Sequence, residues 1–419
     1  NLQRKSQVAS GIAPLYNRQA LNLTDEQKTA VIGSFFCKFS IVTGGPGTGK
    51  TTVIKELLRL CDYYGKKYFL AAPTGRAAVR MSEATGEKAQ TIHSLFGFKR
   101  IIRASKEFIH LSDDRFYLPA DIIIIDESSM IDLYMLYAII SGIKEHQALI
   151  FIGDADQLSS VGIGAILHDC VMANLRNVFR LTKIFRQSIA SNIPCIAESI
   201  MQSIVPRIPK NNSYDCYHIG VLQSQDAVLK IIECLVASYD YEKNVLLTQC
   251  IAPLNKGVCG IFSLNKVIQE KVIMERKKHG KKVQKVTDFF YLYDKVIQTK
   301  NNYDLGVCNG EIGIIVDFSE SGICVAFIDK QVHYSLDDMD ELQLAYAITV
   351  HKAQGSEFDS VVVVAMMEAY IMLNKKLLYT AITRAKKKCV IIGQMKAIAC
   401  GVKKKHTERC TKLFHCIRL

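Results

Sequence analysis

Phe39-Ser-Ile-Val-Thr43, then GGPGTGKTT (44–52), then VIKELLRL (53–60), is the stretch that decides the fold. The first five residues read as a short buried strand and the last eight as a helix. Between them lies the pattern GxxxxGK[ST], in the strand–loop–helix context that it requires. Its glycines let the backbone turn N–H groups inward around phosphates, at a helix N-terminus whose partial positive charge helps. Gly45, Pro46, Gly47, Thr48, Gly49, Lys50, Thr51 and Thr52 form the candidate cradle. Lys50 is expected to reach the β- and γ-phosphates, and the Thr51 hydroxyl to bind Mg²⁺. The stretch predicts a nucleoside triphosphate site.

A phosphate loop alone does not separate a hydrolase from a nucleotide sensor, and the next elements bear on that. Ala120-Asp-Ile-Ile-Ile-Ile125 reads as an apolar strand ending in Asp126-Glu127. An acidic pair at the carboxyl end of such a strand is where a P-loop ATPase holds its metal and polarises water. Asp126 would complete the Mg²⁺ coordination with Thr51, and Glu127 would act as general base. A third strand, Ala148-Leu-Ile-Phe-Ile152, ends in GDADQL (153–158). Asp154 and Gln157 fall at the same sheet edge, where open α/β folds bind ligands, and Gln157 is the candidate γ-phosphate sensor.

Composition sets the outer bounds. The 419 residues are 49% hydrophobic and 22% charged, with a formal net charge of +13, which suits a large globular protein and an anionic partner. The longest apolar runs, 134–143 and 361–367, fall short of the ~18 residues a membrane helix needs, so no membrane partner is expected. The 14 cysteines include no CxxC pair, which argues for reduced thiols in a reducing, cytoplasmic setting. Cys400, His406, Cys410, His415 and Cys416 cluster without a common zinc spacing.

With these elements in order, the chain resembles a superfamily-1 helicase, specifically the RecD-like group of the 5′-to-3′ branch. The resemblance runs from Leu23 to the C-terminus. LTDEQ (23–27) resembles the adenine-reading element, with Gln27 the implied adenine contact. APTGRAA (72–78) and TIHSLFG (91–97) resemble the first DNA-contacting motifs, implying Pro73, Thr74, Arg76, Thr91 and His93 as DNA contacts. LTKIFRQS (181–188) carries Arg186 where the family places an arginine reaching the γ-phosphate from the other domain. LLYTAITRAKK (377–387) supplies Arg384 as the second arginine finger. TVHKAQGSEF (349–358) resembles the motif touching DNA and the ribose, implying Thr349 and His351 for DNA and Glu357 for the nucleotide. QTKNNYDLGVCNGEIG (298–313) is the stretch that points to the RecD-like branch, with Cys308 where an aromatic is common. Ser159 stands where RecD-like chains usually have proline.

The expected architecture is α/β, with two RecA-like P-loop lobes. Residues 1–20 form an N-terminal remnant, 21–180 the first lobe, 181–285 and 346–419 the second, and 286–345 a small β-barrel insert. Within the first lobe, 98–119 reads as a hairpin, Ile101–Arg103 and Phe108–Leu111 flanking Ala104–Glu107; in the family this insert is a pin at the strand-separation point. Implied cofactors are ATP and Mg²⁺; implied partners are single-stranded DNA, its junction with duplex, and repair or recombination proteins. The implied function is an ATP-dependent DNA helicase. A nucleotide-gated subunit of a recombination nuclease complex and the helicase part of a conjugative relaxase are the alternatives. Base stacking falls to Phe, Tyr or His because the chain has no Trp; Phe96, Phe98 and Tyr303 are the candidates, with core packing the favoured role for Phe96. Residues 386–419 hold ten Lys or Arg against one Glu, so +9 of the +13 lies in that tail.

Overall fold

The computed structural model describes residues 23–97, 99–103, 106–110, 118–185, 191–238, 245–302, 304–328 and 330–404, with 411, 413 and 416. In chain order the first lobe comprises α1 (Asp25–Phe36), β1 (Phe39–Gly44), α2 (Lys50–Tyr63), β2 (Tyr68–Ala72), α3 (Gly75–Thr85), β3 (Ala89–Thr91) and α4 (Ile92–Leu95). There follow β4 (Lys99–Arg103), β5 (Lys106–His110), β6 (Ile122–Ile125), α5 (Leu133–Gly142), β7 (Ala148–Gly153), α6 (Ile166–Met172) and β8 (Val178–Leu181). Six strands pair in parallel in the order β3-β2-β6-β7-β1-β8.

The run Ile122-Ile-Ile-Ile125 is apolar throughout because a parallel sheet is covered on both faces. Ile123 and Ile125 join Ile41, Leu149 and Phe151 under α5 and α6. Ile122 and Ile124 join Val42, Ile150 and Ile152 against the apolar stripe of α2, Val53 to Cys61. β4 and β5 pair antiparallel, with Arg103 opposite Lys106. Lys106 and Glu107, read from the sequence as turn, belong to β5, while 104 and 105 lie outside the described residues. Leu111 lies outside the described residues.

The second lobe begins with α7 (Ile193–Met201), β9 (Cys216–Gly220), α8 (Ser224–Ser238), β10 (Thr248–Ala252) and α9 (Ile261–Lys278). β11 (Lys295–Gln298), β12 (Ile312–Ser319), β13 (Gly322–Ala326), β14 (Gln331–Ser335) and β15 (Leu342–Leu344) then make an antiparallel sheet of order β14-β13-β12-β11-β15 around its own core. The chain returns through β16 (Ala347–Thr349), β17 (Phe358–Ala365), α10 (Lys375–Ile382), β18 (Ala385–Gly393) and α11 (Met395–Lys403). These close a parallel sheet of order β16-β10-β17-β18-β9. Alternate residues again serve two cores: Ile251, Val361, Val363 and Ile391 on one face, Cys250, Val362, Val364 and Val390 on the other.

Buried polar bonds fasten the antiparallel sheet to the second lobe. Lys295, fully buried on β11, donates to the carbonyls of Val245 and Thr248, both at 2.9 Å. Burial holds its ammonium well below the usual lysine range. Asp294 accepts from the Tyr346 hydroxyl at 2.9 Å and the Gln269 amide at 2.5 Å. No helix among the described residues is long and apolar enough to cross a membrane. They hold no cluster of metal-ligating residues either, although His406, Cys410 and His415 lie outside them.

Phe151 is fully buried beneath α5 and α6, edge-on to Phe39 with ring centroids 5.5 Å apart. Phe151→Ala should cost the first lobe about 3–5 kcal/mol, read from the urea midpoint; a loss below about 1 kcal/mol would contradict this packing.

Candidate nucleotide site and nucleic-acid channel

β1 ends in Gly44 and α2 begins at Lys50, so the loop between them is the P-loop of the sequence reading. Gly47 and Gly49 adopt φ of 78° and 86°, a left-handed backbone that residues with a Cβ rarely take. The helix cap is Gly49, which offers the first-turn N–H groups no side-chain acceptor. Uncapped amides at a helix N-terminus are an anion-binding arrangement. Lys50 Nζ donates to the carbonyls of Gly44 at 2.7 Å and Gly45 at 3.0 Å, holding its ammonium inside the loop. Thr48 Oγ1 donates to Gly45 at 2.8 Å; Thr51 is exposed, with Pro46 and Thr52 partly buried.

Gln27 is buried against this loop. Its Oε1 accepts from Thr24 N at 3.0 Å in a reciprocal cap of α1, and its Nε2 donates to Thr48 O at 3.1 Å. The neighbouring Glu26 carboxylate accepts from Thr182 N at 2.7 Å and Thr182 Oγ1 at 2.5 Å. Those bonds hold it below the usual carboxylate range, led by the Thr182 hydroxyl. Phe185 N donates to Gly47 O at 2.7 Å. The segment leading to Arg186 thus leaves the first lobe along the P-loop, while Arg186 itself lies outside the described residues.

The acidic pair stands at the end of β6. Asp126 Oδ1 accepts from Glu127 N at 2.8 Å. Burial, then the Glu127 charge, push the Asp126 carboxyl up to about 6, against the pull of Lys50 and Arg80. Glu127 has φ of 50°, uncommon for a residue with a side chain and worth about 1–3 kcal/mol of strain. Such strain persists where the surroundings over-determine the backbone, here immediately after a buried strand.

GDADQL (153–158) is where the lobes meet. Asp154, only 1% exposed, accepts on Oδ2 from Gln157 Nε2 at 3.1 Å and from the Tyr379 hydroxyl of α10 at 2.9 Å. Leu158 N donates to Thr380 Oγ1 at 2.9 Å, and Gln354 Nε2 donates to Leu158 O at 2.8 Å. Gln157 Oε1 is buried and has no hydrogen-bond partner among the described residues. A cavity of about 340 Å³ is lined by Gly44, Gly45, Pro46, Thr48, Asp154 and Tyr379, with second-lobe residues of α7 on its far wall.

Arg384 is held within its own lobe. It is buried, with Nη1 donating to Ser356 O at 3.0 Å and Nε to Thr380 O at 3.1 Å. Glu357 instead meets Arg80 of α3 at 3.0 Å. Neither side chain lines the cavity at the P-loop.

A separate cavity of about 360 Å³ gathers the implied DNA contacts. Pro73, Thr74, Arg76, Thr91 and His93 of the first lobe line it, opposite His351 of the second. Thr299, Asn301, Asn309 and Gly310 of the antiparallel sheet's loops join them, a contribution the sequence reading did not assign. Thr349 does not line the cavity; it accepts from Lys352 N at 3.3 Å. Thr74 and Thr91 cap α3 and α4, so their hydroxyls are fixed by helix starts. Arg76 lies 4.8 Å over the Phe358 ring, with its Nη1 unpartnered, and burial brings its guanidinium down to about 10. Phe96 is buried in the first-lobe core and is not available for stacking; Phe98 and Tyr303 lie outside the described residues. Tyr379, Thr380, Glu26 and Arg80 were also unassigned, although all four sit in or beside the quoted motifs.

Two parallel-sheet lobes sharing a P-loop at their junction define a helicase-type P-loop fold. Family models match residues 27–163 (AAA domain), 264–327 (ATP-dependent RecD-like DNA helicase SH3 domain) and 344–392 (UvrD-like helicase C-terminal domain). The ATP-dependent RecD2 DNA helicase of Deinococcus radiodurans is 29% identical over 398 residues, covering 94% of this chain and 52% of that protein. The RecBCD enzyme subunit RecD of Mycolicibacterium smegmatis is 28% identical over 412 residues, covering 88% and 71% respectively. The chain thus spans about half the length of the first relative and seven tenths of the second. The Pif1 helicase structure from Candida albicans superposes with a TM-score of 0.52 at 18% identity, covering 90% of this chain and 96% of that one. Bacteroides Pif1 bound to single-stranded DNA gives 0.51 at 20% identity, covering 88% and 92%. The chain is thus similar to RecD-type helicases over most of its length, and its insert matches the RecD-like helicase SH3 model.

Gly49→Ala should remove nucleotide binding. An added Cβ would stand 2.2 Å from Gln27 Nε2 on a left-handed backbone. A fluorescent ATP analogue should bind at least about a hundredfold more weakly; unchanged affinity would contradict the site.

Proposed function

We propose that the chain is an ATP-driven DNA helicase that moves 5′-to-3′ on single-stranded DNA. The observation that carries this reading is the cavity lined by Thr74, Arg76, Thr91 and His93 from one lobe and His351 from the other. A strand lying there would touch both lobes, and the P-loop opens at the same junction. Closure of the lobes on nucleotide would then change the grip on DNA, which is what a translocating motor requires. The RecD2 DNA helicase and RecD relatives support the same reading.

In this reading Lys50 and the P-loop amides hold the β- and γ-phosphates of ATP, and Gln27 reads the adenine. Thr51 and Asp126 would hold Mg²⁺. A hydroxyl at the first turn of α2 and a carboxyl beyond β6 are a hard-oxygen donor set suited to that ion. Bound Mg²⁺ would supply charge neutralisation on the phosphoryl oxygens. Glu127 orients the attacking water and accepts its proton. Gln157, its Oε1 unpartnered, senses the γ-phosphate. Arg186 and Arg384 supply positive charge from the second-lobe side; for Arg384 this requires leaving the carbonyls of Thr380 and Ser356. Glu357 reaches the ribose only by releasing Arg80. Pro73 and Thr349 complete the DNA contacts, and the β4–β5 hairpin acts as the pin at the junction of single and double strands. The lobe boundaries of the sequence reading belong to the same proposal.

A second reading has support in the RecBCD subunit relative: the same core serves as one motor of a recombination nuclease assembly. Duplexes with only a 5′ or only a 3′ overhang test the first reading. Unwinding with ATP should require the 5′ overhang, and Lys50→Ala should abolish it together with the ATPase. Unwinding from the 3′ overhang alone would refute the polarity. An ATPase rate indifferent to single-stranded DNA would refute the motor.

A further inference from the structure

Helix α3 is gripped along one side by the rest of the protein. Its first residue, Gly75, lies so close to Cys308 of the insert that a Cβ would stand 2.3 Å from the cysteine Cβ. Its cap, Thr74, faces Gly355, where an added Cβ would lie 3.2 Å from Thr74 Oγ1. Arg76, the next residue, covers Phe358. One further turn along the same face stands Arg80, which does not line the DNA cavity. Arg80 Nη2 pairs with Glu357 Oε2 at 3.0 Å, and Nη1 lies 3.4 Å from Gly355 O and 4.0 Å from Glu127 Oε1.

One guanidinium therefore touches the second lobe's 355–357 segment and the candidate general base of the first lobe, from a helix whose other end lines the DNA cavity. A rigid helix transmits a displacement at its N-terminus to its second turn, where Arg80 lies four residues beyond Arg76. At 4.0 Å from Glu127, a movement of about 1 Å separates a loose ion pair from a charge-assisted hydrogen bond.

We infer that Arg80 is the positioning residue that couples occupancy of the DNA cavity to the alignment of Glu127. With the cavity empty, Glu357 and Gly355 hold the fork. A strand held by Thr74 and Arg76 shifts α3, redistributes the fork toward Glu127, and fixes that side chain where it can orient water. Arg80 touches neither nucleotide nor DNA in this scheme. Its fork geometry matters, because lysine carries the charge without two parallel donors.

This inference rests on the motor reading, and the experiment separates the two. ATP hydrolysis is measured with and without saturating oligo-dT in the unmodified chain, Arg80→Gln and Arg80→Lys, with oligo-dT affinity from fluorescence anisotropy. Absence of stimulation in the unmodified chain refutes the motor reading itself. Given stimulation, Arg80→Gln should lose about tenfold or more of the DNA-stimulated kcat. Its DNA-independent rate, KM for ATP and oligo-dT affinity should stay within about threefold. Arg80→Lys should recover part of the stimulation. A stimulation ratio in Arg80→Gln equal to the unmodified chain's would overturn the inference. So would an equal fall in the rates with and without DNA, the signature of a structural role.

Discussion

Asp154 is a carboxylate at 1% exposure whose partners come from both halves of the chain. Gln157 reaches it from its own loop and Tyr379 from α10, while Thr380 and Gln354 take up the backbone on either side of Leu158. Burying an acid costs several kcal/mol unless hydrogen bonds replace its water. The replacement here is complete only when the second lobe is seated on the first. That requirement sets the relation of the lobes at the edge where the P-loop lies, since the Tyr379 hydroxyl also stands 3.0 Å from where a Gly45 Cβ would be.

The P-loop itself depends on little beyond its own chain and α1. Positive φ at Gly47 and Gly49, Lys50 folded onto two loop carbonyls, and Gln27 against Thr48 are local features. The surroundings of the loop are not local. Asp154 and the Arg80–Glu357 pair take their positions from the seam between lobes, whereas Arg384 is held by carbonyls of its own lobe. The buried Lys295 and Asp294 do the same for the antiparallel insert, joining it to the second lobe by bonds to Val245, Thr248 and Tyr346. Together these place Thr299 and Asn309 of the insert beside Thr74 and His93.

Much of the fold was legible in the sequence because a parallel strand buried on both faces leaves an unbroken apolar run. Ile122–Ile125, Leu149–Ile152 and Val361–Val364 are such runs, and each falls in a strand. The P-loop was legible for a different reason: glycines at required φ values and a lysine one residue into a helix leave a fixed spacing. Cross-lobe partners leave no spacing at all. Nothing in the sequence announces that Tyr379, 225 positions beyond Asp154, will donate to that carboxylate. Arg80 had a faint signal, four residues beyond Arg76 and so on the same helical face, but its acidic partners lie on other elements. Phe96 was legible too: an aromatic inside a DNA-contacting motif but on an apolar run, it packs in the core as expected.

In the proposed motor, nucleotide and DNA close one seam between two lobes. Hydrogen–deuterium exchange on the chain alone, with a non-hydrolysable ATP analogue, and with the analogue plus oligo-dT tests it most directly. The analogue should slow exchange in 44–52, 153–160 and 375–382 together, and oligo-dT should add protection in 74–80 and 349–358. Protection confined to 44–52, with the second-lobe segments unchanged in every state, would contradict it.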